Sequence, residues 1–237
     1  MPPAAPAARL THFLCLPLVT SASRPHLEAN LRSFRAEVTQ ATAQNPSGIP
    51  ERAVRPAGTL HLTLGVMSLV TPGRIEAALT LLQSLDLRGQ MPSRGREDVG
   101  HASSRPAPLT VTLRGLKTTH EPKRTSVMFA PPVDEDGSLY EFCVRIRNAF
   151  QAAGLLVSDT RPLLLHATII NTVYVGGRGR KAPKLTIDAR EIMQQYESFE
   201  WMKDIRIETV AICKMGAQPV MGGDEAYIVE GEVPVPG

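Results

Sequence analysis

Apolar residues recur along this 237-residue chain in two rhythms. Leu27, Leu31, Phe34 and Val38 are spaced four, three and four apart, which places them on one helix face. Ile75, Ala78, Leu79, Leu82 and Leu85 form a second such stripe, opened by Thr71 as a cap and Pro72 in the first turn. A third runs from Leu139 through Phe142, Cys143, Ile146 and Phe150 to Ala153, closed by Gly154. Between them lie short β-rich runs: 12–19, 59–67, 109–113, 126–130 and 163–175. A helix is expected over 188–196, and two last strands near 204–213 and 225–229. Strands and helices do not alternate strictly, so the order predicts a two-lobed α+β fold rather than a parallel α/β sheet. The halves echo one another, each placing a long helix ahead of a strong strand.

Segment 88–108 has no rhythm and is rich in Gly, Pro, Ser and Arg, so it is predicted to be a mobile basic loop. Residues 1–10 are expected to be a disordered N-terminus, and 11–235 a single bilobal domain. With 43% hydrophobic and 21% charged residues, the chain has enough apolar material for a sizeable core. Cys15, Cys143 and Cys213 lie far apart without CxxC spacing, which argues against a zinc framework and for a reducing compartment. The apolar run near Phe13–Val19 is too short to span a bilayer. Nucleus or cytoplasm is the expected location, with no membrane partner.

The candidate chemistry lies in two segments, Leu60-His61-Leu62-Thr63-Leu64 and Leu165-His166-Ala167-Thr168-Ile169. On a strand, alternate side chains share a face, so His and Thr point one way and the apolar residues build core on the other. A bare His-x-Ser/Thr is expected by chance roughly 0.8 times in such a composition. His101-Ala102-Ser103, in the polar loop, is one such occurrence and is given no function. Apolar neighbours lower the chance expectation to roughly 0.06, yet two segments qualify. Either one alone could be a strand-forming Thr beside a satisfied surface histidine. The doubling argues for chemistry. One neutral imidazole can accept a proton while a second, protonated, gives one to a departing oxygen. The Thr hydroxyls can donate to phosphate oxygens. No acidic cluster flanks either histidine as a two-metal site needs, and third and fourth zinc ligands are missing. No metal and no cofactor are expected.

With these residues the chain resembles the 2H phosphoesterase superfamily, and within it the A-kinase-anchor-protein-like phosphoesterase domain. The resemblance includes Phe13-Leu14-Cys15-Leu16-Pro17-Leu18, Phe150-Gln151-Ala152-Ala153-Gly154-Leu155 and the stretch after His166 to Thr172. It implies a bilobal fold in which two pseudo-symmetric antiparallel sheets line a central groove, with helices outside. It also implies metal-independent action on 2′,3′-cyclic or 2′,5′-linked ribonucleotide phosphates, or recognition of RNA ends. His61 and His166 are then the acid/base pair, and Thr63 and Thr168 the phosphate-binding residues. A cointegrator-type protein complex is an implied partner, without the RNA-binding KH module that can precede this domain.

Two basic stretches bear on substrate. Residues 88–124 carry eight Arg/Lys against three acids, and 176–184 add Arg178, Arg180, Lys181 and Lys184. Arg178, Arg180 and Lys181 are candidate nucleic-acid contacts, since mobile cations beside a groove can follow a phosphate backbone. A solvated surface loop has the same composition. The competing functions are a nucleotide- or RNA-binding module without turnover, and a scaffold subunit of a transcription or repair assembly.

Overall fold

A computed structural model describes residues 9–91, 108–176 and 185–237. In chain order its elements are β1 (His12–Pro17), α1 (Arg24–Val38), β2 (His61–Met67), α2 (Pro72–Ser84), α3 (Leu87–Gln90), β3 (Thr110–Arg114), β4 (Val127–Ala130), β5 (Pro132–Val133) and α4 (Ser138–Ala152). There follow β6 (Ala167–Asn171), α5 (Arg190–Gln195), β7 (Glu200–Arg206), β8 (Thr209–Lys214), β9 (Gln218–Pro219), β10 (Glu225–Ala226) and β11 (Val229–Pro234). Among the described residues all strand pairings are antiparallel, and the class is α+β.

The first lobe is the sheet β11-β8-β1-β2. In the second, β3 lies between β7 and β5, and β4 pairs with β6. Only Pro131 separates β4 from β5, and Lys117 and Phe129 exchange backbone hydrogen bonds of 2.8 and 2.9 Å. The second lobe is therefore a four-deep array, β7-β3-β4/β5-β6, that mirrors the first. In both lobes the strand entering the long helix is the neighbour of the strand leaving it.

The long helices form where their apolar stripes meet the sheets. Leu27, Leu31, Phe34 and Val38 of α1 are buried, as are Leu139, Phe142, Cys143, Ile146 and Phe150 of α4. The Asp134 carboxylate accepts from Leu139 N (3.0 Å) and Tyr140 N (2.7 Å), satisfying amides that the start of α4 leaves open. Both stripes belong to one continuous apolar core. Trp201 is fully buried in it and donates from Nε1 to the Gly115 carbonyl at 2.8 Å.

Several expected boundaries differ. The strand predicted over 163–175 is regular only from Ala167 to Asn171, and a 3-10 turn takes Thr172–Tyr174. Asn171 Oδ1 accepts from Val173 N at 3.1 Å, and Thr172 Oγ1 donates to the Leu185 carbonyl at 2.6 Å, so side chains replace the ladder there. The run 204–213 is two strands. β7 pairs in the second lobe and β8 in the first, so the chain changes sheets at Ile207–Glu208. The last strand is β11 at Val229–Pro234, and only Glu225–Ala226 of the expected 225–229 pairs separately. Arg88 to Gln90 belong to the short helix α3, not to the loop, because Leu87 is buried and anchors it. The remainder of that loop, 92–107 with His101, lies outside the described residues, as do 1–8 and 177–184.

The lobes are joined by a reciprocal exchange. After α1, Val54 pairs with Ile170 of β6, and Arg55 N donates to the Ile169 carbonyl at 2.8 Å. After α4, Leu156 pairs with Met67 of β2, and Val157 N donates to the Val66 carbonyl at 2.8 Å. Each lobe thus seals the open edge of the other lobe's last strand. These sealing segments lead directly into His61 and His166.

Candidate active site

His61 opens β2 behind a tight 3-10 turn, Ala57–Thr59. Gly58 N donates to the Asp224 carboxylate at 2.9 Å. A Cβ on Gly58 would lie 2.4 Å from the Glu225 carbonyl oxygen, so only glycine lets the turn approach this close. The turn presents the Thr59 carbonyl to His61 Nδ1 at 2.7 Å. His166 stands one residue ahead of β6, and its Nδ1 meets the Leu164 carbonyl at 2.8 Å. In both cases the partner is the carbonyl two residues back. A carbonyl can only accept, so Nδ1 carries the hydrogen in each ring. In the neutral ring the free lone pair is then on Nε2.

The alternation holds in both segments. Leu60, Leu62, Leu64, Leu165, Ala167 and Ile169 are buried, while His61, Thr63, His166 and Thr168 keep partial exposure. A further likeness lies beyond the reach of a motif. Cys15 pairs with Thr63 and Leu14 with Gly65, so Leu64 is an extra residue in β2. Phe129 pairs with Thr168 and Met128 with Ile170, so Ile169 is an extra residue in β6. The same bulge follows each Thr. Bulges re-aim side chains and favour positions beside active sites.

The rings are set on aromatic supports from the neighbouring strand. Phe13 lies 4.7 Å from His61 between centroids, and Phe129 lies 5.2 Å from His166. Tyr227 meets His61 edge-on at 5.3 Å. A cavity of about 360 Å³ opens on this side of the first sheet, lined by Phe13, Cys15, His61, Cys213, Tyr227 and Glu232 among others.

β2 and β6 approach within 8 Å between Cα atoms, and His61 feels the charge of His166. Burial pushes the His61 pKa down to about 4, against the pull of the Thr59 carbonyl. The charges of His166 and then Arg55 press the same way. The residue keeps some surface open to solvent, but the protein packed around it makes charging costly. His61 is therefore neutral at pH 7, in the form that accepts a proton.

Three residues near this pair carry no sequence signal. Arg55 is buried, its Cζ is 3.6 Å from the Tyr174 ring centroid, and its charge reaches His61. Burial and then Tyr174 push the Tyr227 hydroxyl up to about 12, opposed by Arg55. Arg55, Tyr174 and Tyr227 come from three separate chain regions, so no local pattern marks them. Arg178, Arg180 and Lys181 lie outside the described residues. Among the described residues, no group of three or more His, Cys, Asp or Glu is placed to hold a metal, and no helix is long and apolar enough to cross a membrane.

The chain belongs to the family described as the AKAP7 2′5′ RNA ligase-like domain, whose model matches residues 10–235, and so to the 2H phosphoesterase superfamily. A Schizosaccharomyces pombe protein is 24% identical over 206 residues, covering 86% of each chain. The mouse activating signal cointegrator 1 complex subunit 1 is 27% identical over 200 residues, 80% of this chain. This chain spans about half of that subunit, 51% of its length. A crystal structure of a phosphoesterase matches with a TM-score of 0.54 at 17% identity, covering 96% of this chain and 99% of that one. Escherichia coli LigT complexed with 3′-AMP matches with a TM-score of 0.53 at 17% identity, covering 95% and 98%. At such identity the structural matches speak to the fold. The family supports a phosphoesterase-type function.

Proposed function

We propose that this chain is a metal-independent phosphodiesterase that acts on RNA or oligonucleotide phosphates, either 2′,3′-cyclic or 2′,5′-linked, by two-histidine acid/base catalysis. The observation that carries the reading is the duplicated half-site: a histidine with Nδ1 tied to the carbonyl two residues back, and a Thr followed by a bulge. His61, neutral, takes through Nε2 a proton from the attacking water. The water oxygen bonds to phosphorus, the bond from phosphorus to a ribose oxygen breaks, and His166 as imidazolium protonates that oxygen. His61 ends protonated and His166 neutral, and exchange with solvent resets the pair. Thr63 and Thr168 donate to the non-bridging oxygens as negative charge builds on them. His61 is assigned as base because burial holds it neutral. The product from a cyclic phosphate is a phosphomonoester beside a free hydroxyl.

A second reading follows from the cointegrator subunit among the relatives: a nucleotide-binding subunit of a protein complex. One screen separates them. Purified protein in EDTA is given 2′,3′-cyclic nucleotides and 2′,5′- and 3′,5′-linked dinucleotides, with phosphomonoester release and binding both measured. Release in EDTA is the expected result. Binding without release would install the second reading, and activity that returns only with a divalent ion would overturn the two-histidine mechanism.

The basic segment around Arg178, Arg180 and Lys181 yields a further expectation for longer substrates. If these cations follow the backbone, polynucleotide affinity falls steeply with salt through counterion release. Replacing all three by Ala should flatten that slope by about 2–3 units of log K against log salt while leaving cyclic mononucleotides unaffected. An unchanged slope would make this segment a solvated surface loop.

A further inference from the structure

The seam between the lobes holds a cation whose donors are not all used. Arg55 is 4% exposed, and its backbone is fixed to the Ile169 carbonyl, one residue past Thr168. Six residues further on is His61. The guanidinium carbon lies over Tyr174, 3.6 Å from the ring centroid, a cation–π contact that helps hold the side chain in place. The nearest carboxylate oxygen, Glu225 Oε2, stands 3.6 Å from Nη2, beyond hydrogen-bond length, and the Glu225 side chain is 41% exposed. Among the described residues Nη2 has no partner at hydrogen-bond length, although the Tyr227 hydroxyl is close enough to interact with the guanidinium. A buried, unsatisfied N–H of a charged group is costly, so its persistence needs a reason. Simple pairing with Glu225 does not supply one, because that pair leaves the donor unmade.

We propose that Arg55 is a phosphate-binding residue of the site, donating through its guanidinium to a non-bridging phosphoryl oxygen held between His61 and His166, with Glu225 as the anion that the phosphate displaces. This deepens the phosphodiesterase reading and rests on it for the place of the phosphate. The chemistry calls for such a group. His61 gains a proton from the attacking water and His166 gives one to the leaving oxygen, so each histidine changes charge during turnover. The two Thr hydroxyls are neutral donors. Arg55 keeps a constant positive charge throughout, in a site where charge-assisted hydrogen bonds are strong. It also opposes protonation of His61, keeping the base free until substrate arrives.

The test uses inorganic phosphate and a 2′,3′-cyclic nucleotide as probes, with Arg55→Gln and Glu225→Gln. Arg55→Gln keeps an amide donor, on a shorter side chain, without charge. Phosphate affinity should fall at least tenfold, kcat/KM for the cyclic nucleotide by about ten- to a hundredfold, and the His61 ring should titrate at higher pH by NMR. Glu225→Gln removes the competing anion, so phosphate affinity should rise several-fold. If Arg55→Gln is too unstable to purify, the Glu225 variant decides: unchanged or weaker phosphate binding there overturns the proposal. Loss of thermal stability in Arg55→Gln with phosphate affinity and kcat/KM within twofold of the parent also overturns it, leaving the phosphodiesterase reading intact. A parent protein that turns over no substrate but loses phosphate binding in Arg55→Gln would sink the phosphodiesterase reading and keep Arg55 as an anion site.

Discussion

His61→Ala and His166→Ala should each lower turnover of a cyclic or 2′,5′-linked phosphate by about two to four orders of magnitude, the usual worth of a general acid or base. The double replacement should lose far less than the product of the single losses. Once one proton transfer is gone, the other no longer has a matched partner to act with. Thr63→Val and Thr168→Val should cost less than either histidine, since each removes one donor and keeps the shape. The supporting geometry makes the readings specific. Nδ1 of each ring is committed to a backbone carbonyl, so both transfers run through Nε2. The rate should therefore follow a bell-shaped pH profile, one ring neutral and the other charged. Single-turnover measurement with circular dichroism on each variant checks this. Full activity in either alanine variant, with the fold intact, would remove the acid/base pair.

The second large effect is on stability. Burial pushes the pKa of His61 in the folded protein down to about 4, below the ordinary value of 6.5. The unfolded chain therefore binds a proton in that window that the folded chain refuses. Stability is full above about pH 6.5 and declines as pH falls toward 4, by roughly 2–3 kcal/mol between pH 7 and 4.5. The carboxylates whose pKa is lowered by arginine or lysine partners, such as Glu200 with Arg114 and Glu230 with Lys214, lose their contribution lower still, below their own unfolded values. His61→Asn keeps a donor facing the Thr59 carbonyl and removes the titration. Urea unfolding from pH 7 to 4.5 should show a steep decline for the parent and a flatter one for this variant. Parallel declines would mean that His61 charges freely in the folded protein.

The stripes of α1, α2 and α4 were legible because a helix buries one face at a fixed period. Errors fell where side chains compete with the ladder. Asn171 and Thr172 bond to backbone and end β6 early, although the apolar run continues to Val175. The change of sheets at Ile207–Glu208 was hidden for a related reason. Both sides are β-rich, and nothing local says that they pair with different partners.

The sequence by itself determined that His61 shares a face with Thr63 and His166 with Thr168, because a strand's period is two and core burial fixes the phase. It determined too that the two segments are alike. Tertiary structure decided what surrounds them. The bulge after each Thr depends on register with β1 and β4, and a register belongs to two strands at once. Arg55 reaches the site only because Val54 and Arg55 pair with β6 of the other lobe. Phe13, Tyr174 and Tyr227 arrive from β1, from the turn after β6 and from the segment before β11. The low pKa of His61 follows from that gathering, because desolvation and neighbouring charge act through space and have no signature along the chain.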